Sequence, residues 1–192
     1  AVQAKKFLGE KGDKILVIDS LNASAGLGLL VFKIIDLIEK GLSIEEIEKE
    51  LLKNISIVQM RILLVDPKWL EASGRISGAL ANWIRRFQKM GVKPLLGLKE
   101  GRVGAVGIKF GAKDAVATLF SELESKTKEQ RSKGEKIKVA ITHGSDLESA
   151  ERLKEIIEKN LQNTKVAFIN LIDDVLGTIT GPNTLVIAWL TE

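Results

Sequence analysis

Residues 60–65 read Met-Arg-Ile-Leu-Leu-Val, and this run decides how the fold is interpreted. A nearly unbroken apolar run of this length is typical of a strand that is buried on both faces of a sheet. A second such run covers residues 14–20, and two helical patterns at about residues 22–40 and 43–54 lie between the two runs. Strand, helix, helix and strand in this order predict half of a parallel α/β layer.

Beyond Pro67 the chain alternates between further helical and strand patterns. Helices are expected at about residues 67–72, 77–90, 112–133 and 147–161, and strands at about residues 92–98, 103–109, 136–142, 166–172 and 184–190. A Lys-Glu-Gly-Arg turn makes the first two of these strands a hairpin. The sequence therefore predicts the α/β class. The remainder of a parallel α/β N-terminal domain, residues 1–58, is followed by a C-terminal α/β domain, residues 59–192, with a mixed or antiparallel six-stranded sheet.

The composition excludes several classes of protein. Hydrophobic residues form 45% of the chain, enough for a buried core, and cysteine is absent, which removes disulfides, a thiolate nucleophile and cysteine-bound zinc. The absence of cysteine also fits a reducing cytoplasm, which is the predicted location. The net charge is +4, but basic and acidic residues are interleaved, so no nucleic-acid partner is predicted. No apolar run is long enough to span a membrane, and no signal peptide opens the chain. Because it starts in a helical pattern without methionine, we expect a fragment of a longer protein.

The stretch Gly74-Arg75-Ile76-Ser77 is the strongest candidate for binding an anion. Glycine lets the backbone turn tightly or approach a ligand, and the planar guanidinium of Arg75 fits a carboxylate or a phosphate. Ser77 is able to donate to the same anion. The alternatives are structural: Arg75 pairs with a carboxylate of the protein, and Ser77 caps the next helix.

Two further polar stretches are weaker candidates. Ser20 ends the predicted strand at residues 14–20, and Ser24 lies in the junction that follows it. An acid head group would lie there near a helix N-terminus, although capping of that helix is the favoured interpretation. Residues 177–184 are rich in threonine, glycine and proline; the threonines are able to line a polar pocket, but a simple turn between strands explains the composition better. Gly26 and Gly28 are explained best by close helix packing.

No catalytic or metal motif is recognisable. His143 is the only histidine, which is too few for an ordinary zinc site, and a structural role in a loop is favoured over a general base. Asp173 and Asp174 are neighbours, so on a strand they would point to opposite faces, and a solvated turn is the better interpretation. No phosphate-binding loop is present, and neither a cofactor nor a metal is predicted.

The order of these motifs resembles that of the DegV family of bacterial fatty-acid-binding proteins. The matching elements are Val-Ile-Asp-Ser ending at residue 20, Gly-Leu-Gly at 26–28, Gly-Arg-Ile-Ser at 74–77, Thr-His at 142–143 and Gly-Pro at 181–182. The resemblance implies a two-domain α/β protein that buries a long-chain fatty acid between its domains. It also implies that the protein does not catalyse a reaction and that a fatty-acid kinase is its partner.

The resemblance also assigns ligand-binding positions, several of which depart from the family pattern. The residues that carry over are Gly74, Arg75, Ser77, Ser20, Ile179 and Gly181. Ile179 replaces the family histidine, Phe110 replaces a family arginine, and the family's opening hydroxyl-bearing loops are absent. Arg75 and Ser77 are thus expected to hold what remains of the polar site, around a largely apolar tunnel. The alternative is an enzyme, or an enzyme subunit, that acts on a small anionic metabolite with Arg75 and His143 in its site.

Overall fold

The described part of the chain, residues 1–110 and 114–192 of a computed structural model, contains one mixed six-stranded sheet. Its strands are β1 (Gln59–Leu63), β2 (Lys93–Lys99), β3 (Arg102–Lys109), β4 (Ile137–His143), β5 (Thr164–Leu171) and β6 (Leu185–Thr191). The order across the sheet is β3-β2-β1-β6-β4-β5, with β4 and β5 parallel and all other neighbours antiparallel. This confirms the α/β class and the six-stranded mixed sheet.

Helices cover both faces of this sheet. They are α1 (Val2–Phe7), α2 (Glu10–Asp13), α3 (Ser24–Glu39), α4 (Ile44–Ile55), α5 (Lys68–Ala72), α6 (Gly78–Lys89), α7 (Ala115–Ser132), α8 (Leu147–Asn160) and α9 (Asp174–Thr180). A capping box begins α4, in which the side chains of Ser43 and Glu46 each accept a hydrogen bond from the other's backbone N–H. For α7, the predicted start near residue 112 lies outside the described residues, and the helix is capped by Asp114.

The alternation of side chains along β6 explains how one sheet supports two cores. Val186, Ala188 and Leu190 face a cluster that contains residues of α3, α5 and α6. Leu185, Ile187 and Trp189 face the opposite cluster, which is built on α7 and α8. Since successive side chains of a strand point to opposite faces, a central strand covered on both sides is apolar at almost every position.

The predicted strand at residues 14–20 is wrong. Residues 15–20 lie in no strand or helix, and the side chains of Ile15 and Leu16 are 39% and 41% exposed. A buried strand must pair its backbone N–H and C=O groups with neighbours, and no described strand lies beside this segment. The apolar run therefore forms an irregular segment that leads to α3. The division into domains at residues 1–58 and 59–192 stays a prediction.

The loop expected between β5 and β6 is also corrected. Residues 174–180 form the short helix α9, whose N-cap is Asp173: its carboxylate accepts a hydrogen bond from the N–H of Leu176 at 3.0 Å. The glycine and threonines of this stretch suggested a turn, but the cap and the apolar contacts of Leu176 and Ile179 with the core stabilise a helix. Asp173 and Asp174 are both exposed, as expected.

Candidate functional site

An apolar cavity of about 460 Å³ lies above one face of the sheet. Its floor consists of Met60 and Ile62 of β1 and Val186 of β6, and a side wall comes from Leu70 of α5 with Ile179 of α9. Asp19, residues 21–24 and the β2–β3 hairpin provide the other walls. The volume falls within the range of small-molecule sites, and the walls derive from both predicted parts of the chain.

Arg75 lines this cavity from the loop between α5 and α6. The loop reverses direction at Gly74, whose φ of 71° favours glycine, and the N–H of Arg75 donates to the carbonyl of Leu70 at 3.0 Å. The guanidinium forms no ion pair or hydrogen bond with any residue of the described ranges. The nearby carboxylate of Glu71 is instead paired with Arg85 at 2.5 Å. Arg75 is therefore an exposed cation with no ion pair among the described residues, on the wall of a mainly apolar cavity.

Two of the predicted serines make local contacts. The Oγ of Ser77 caps α6 by accepting a hydrogen bond from the N–H of Leu80 at 3.2 Å, and Ser77 does not line the cavity. The Oγ of Ser20 exchanges hydrogen bonds of 3.3 Å with the backbone of Asn22 and also lies outside the cavity wall. Ser77 thus caps α6 as its structural alternative predicts, whereas the cap expected from Ser20 or Ser24 is wrong, because the N-cap of α3 is Ala23 and no side chain caps it. The role of Ser20 and Ser77 in binding stays a prediction.

Ile179 and Gly181 have different relations to the cavity. Ile179 lines it directly, so the position that holds a histidine in the family pattern here presents an aliphatic surface. Gly181 is buried next to the cavity wall with a φ of 80°, and a Cβ there would collide with the indole ring of Trp69. This close approach fixes α9 against α5, and α9 and α5 together position Ile179 and Leu70.

Tertiary structure brings Ser24, one of the weaker candidates of the sequence, to the cavity wall together with hairpin residues that sequence reasoning missed. Ser24 and Thr142, which are 118 positions apart, share a hydrogen bond of 2.7 Å between their hydroxyls. This bond attaches the start of α3 to β4, and Ser24 also lines the cavity. Leu98 and Val103 of the hairpin complete the apolar wall. Their apolar strand pattern was a usable signal of burial, but it carried no information about which surface they face.

His143 does not lie on the wall of this cavity. Its side chain is 6% exposed at the end of β4, and Nδ1 accepts a hydrogen bond from the N–H of Asp146 at 3.1 Å. It thus helps to position the start of α8, whose N-cap is Asp146. The arrangement favours the structural role and gives no support to a shared site of His143 with Arg75.

Gly28 has the expected packing role, because a Cβ there would collide with the ring of Phe168.

A buried charge cluster lies on the opposite side of the sheet from the cavity. Glu122 of α7 accepts a hydrogen bond from Nε of Arg61 at 2.9 Å and forms an ion pair with Lys109 at 3.0 Å. Burial alone would raise the pKa of the Glu122 carboxyl, but the hydrogen bonds and charges of Lys109 and Arg61 outweigh it and hold this pKa below its usual range. The cluster attaches β1 and β3 to α7 and so supports the sheet beneath the cavity.

The described residues offer neither a metal cluster nor a helix that could cross a membrane. Within residues 1–110 and 114–192, no group of three or more histidine, aspartate and glutamate side chains is placed to hold a metal ion. Over the same ranges, every helix is too short or too polar to cross a bilayer.

Comparisons with known proteins agree with this architecture. A DegV domain-containing protein of Clostridium perfringens is 30% identical over 183 residues, covering 95% of this chain and 61% of the relative. The structure of a DegV family protein of Thermus thermophilus, described in terms of fatty acid binding, is 28% identical with a TM-score of 0.74, covering 98% of this chain and 64% of that one. DegV of Bacillus subtilis, described as a fatty acid binding protein, is 25% identical with a TM-score of 0.70, covering 91% and 60%.

This chain therefore spans about three fifths of the length of these relatives. The family model of DegV, described as an uncharacterised protein, matches residues 1–192, the whole of the chain. Together with the mixed six-stranded sheet and the motif order of the sequence, this match means that the chain belongs to the DegV family.

Proposed function

We propose that this protein binds a long-chain fatty acid, or a similar acyl amphiphile, without catalysing a reaction. The carboxylate pairs with Arg75, and the acyl chain lies in the cavity over Met60, Ile62 and Val186. The observation that carries the proposal is the guanidinium of Arg75, which has no ion pair among the described residues, on the wall of a mainly apolar cavity. Such a combination suits a ligand with one anionic end and a long hydrocarbon part.

The energetics favour the apolar part of the ligand as the main source of affinity. A charge-assisted bond between a guanidinium and a carboxylate contributes roughly 1.5–3 kcal/mol. Each buried methylene contributes roughly 0.8 kcal/mol, so an acyl chain of ordinary length exceeds the head-group contribution severalfold. The replacement of the family histidine by Ile179 is thus compatible with retained lipid affinity.

The relatives support the same assignment. Two solved DegV proteins that resemble this chain are described as binding fatty acids. From the family resemblance we also propose a fatty-acid kinase as the partner and the cytoplasm as the location. The partnership is tested by size-exclusion chromatography with such a kinase: the lipid-loaded protein should co-elute with it, and the lipid-free protein should not.

The binding proposal is tested with palmitic acid and its methyl ester, which differ in the anionic head only. Isothermal titration of wild type and Arg75→Ala should show about a tenfold loss of affinity for the acid, because a charged hydrogen bond is removed. The ester should change by less than about twofold. Arg86→Ala is the matched control, since Arg86 is exposed on α6 and does not line the cavity.

Two results would contradict the proposal. Absence of saturable palmitate binding by wild type excludes lipid binding by this chain. Equal losses for acid and ester in Arg75→Ala show that Arg75 supports the cavity wall and does not contact the head group.

A further inference from the structure

The register of the sheet gives the cavity two distinct ends. Arg75 follows the C-terminal end of β1 through α5. The β2–β3 turn lies at the opposite end of β1, because Ile62 pairs with Leu96 in an antiparallel register, so that β2 runs from there past Met60 towards Leu98 and the turn. The apolar floor thus runs from Ile62, near the Arg75 end, to Met60, near the hairpin turn.

Leu21 lines the cavity at the hairpin turn. Its Cδ2 lies 3.5 Å from the position of a Cβ built on Gly101, and both residues line the cavity. Leu21 has a φ of 49°, which is uncommon for leucine, and its N–H donates to the carboxylate of Asp19 at 3.0 Å. This local turn directs the leucine side chain against the turn of the hairpin, where it lies at van der Waals distance from Gly101.

Charges at this end disfavour a carboxylate head group. Asp19, Glu100 and Arg102 line the cavity here, which gives two acidic groups and one basic group. Asp19 and Glu100 also border a second depression, whose wall includes Gln59, the first residue of β1. Both acidic residues therefore lie at the hairpin end of the cavity. Since like charges repel, the anionic head is favoured at Arg75 and the methyl end of the chain at Leu21.

We propose that Leu21, packed on Gly101, is the stop that sets the longest acyl chain the cavity accepts. This inference rests on the proposed fatty-acid function and adds its length selectivity. Each methylene that enters the cavity raises the affinity about fourfold, until the chain meets the leucine. Beyond that length a further methylene either remains in water or displaces Leu21, so the affinity stops rising.

The test is a titration series with decanoic, lauric, myristic, palmitic, stearic and arachidic acids. Wild type should show an optimum within the series. Leu21→Ala should move this optimum to the next longer acid, because truncation of leucine opens room for ~2 methylenes. Leu21→Trp should move it to a shorter acid. Leu27→Ala is the matched control: Leu27 is 43% exposed against 42% for Leu21, and it lines a neighbouring groove but not the cavity.

The outcomes separate this inference from the proposal on which it rests. Saturable binding by wild type with the same optimum in both Leu21 variants overturns the stop and leaves fatty-acid binding intact. A uniform loss of affinity for all acids in Leu21→Ala also overturns it, since a stop affects only the long chains. Absence of binding of any acid by wild type overturns both statements.

Discussion

Nε of Arg61 donates to Oε1 of Glu122 across 2.9 Å, and both side chains are more than nine-tenths buried. Lys109 reaches the other carboxylate oxygen of Glu122 at 3.0 Å, and the guanidinium of Arg61 stacks 5.0 Å from the ring centroid of Trp189. One carboxylate thus neutralises two cations from strands β1 and β3. Removal of such a carboxylate leaves uncompensated charge in the interior of the protein.

We therefore expect Glu122→Gln to lower the free energy of unfolding by about 3 kcal/mol, because breaking one side of a buried ion pair costs more than the pair contributes. Urea denaturation at neutral pH measures this difference. Glu124→Gln, an exposed position on the same helix, is the control and should change stability by less than about 0.5 kcal/mol. A similar small change in both variants would show that water reaches the cluster.

The same carboxylate should make stability depend on pH. The pKa of Glu122 is lower in the folded chain than the value of about 4.3 expected after unfolding. Its contribution is fully present above the unfolded pKa and is lost as the pH falls through the folded pKa. Asp114 adds a contribution of the same sign, because the N–H of Ala117 and then Arg152 hold its pKa below the usual range.

Urea titrations between about pH 6 and pH 3 should show a steep fall of stability in wild type and a shallower one in Glu122→Gln. The residual slope in the variant is assigned to Asp114 and other carboxylates. Glu124→Gln should retain the slope of wild type. If the slope of Glu122→Gln equals that of wild type, Glu122 titrates alike in the folded and unfolded chain.

Local sequence patterns predicted most of the sheet, because a strand buried on both faces has a continuous run of apolar residues. The predicted strand at residues 60–65 overlaps β1, and residues 184–190 overlap β6, each displaced by one or two positions. The run at residues 14–20 misled for the same reason. Its apolar residues indicate a tendency to be buried, whereas a strand forms only where another strand supplies hydrogen bonds.

The site was predictable only where a residue type carries a chemical function by itself. Arg75 was identified because a guanidinium beside a glycine suits an anion, and the structure shows it on the cavity wall. Leu21 and Leu98 carry no such signal, since nothing in an isolated leucine indicates which surface it will border. They reach the same cavity through the register of β1 with β2 and the contact of Leu21 with Gly101.

Gly181→Ala should lower the free energy of unfolding by about 3 kcal/mol. The residue has a φ of 80°, which is unfavourable for alanine, and the added Cβ would collide with the ring of Trp69. Gly177→Ala is the matched control, because Gly177 lies in α9, just before Gly181, with open space around its Cβ position. It should be neutral or stabilising by up to about 1 kcal/mol. Thermal and urea denaturation measure both variants.

A double variant separates the two causes of this loss. Trp69→Leu removes the ring from the path of the new Cβ but leaves the backbone conformation unchanged. The substitution Gly181→Ala should therefore cost less in the Trp69→Leu background than in wild type, while the part due to the left-handed φ, about 1–2 kcal/mol, remains. An equal cost in both backgrounds would show that the ring moves aside without penalty. In that case the contact of α9 with α5 would not be what holds Ile179 and Leu70 in the cavity wall.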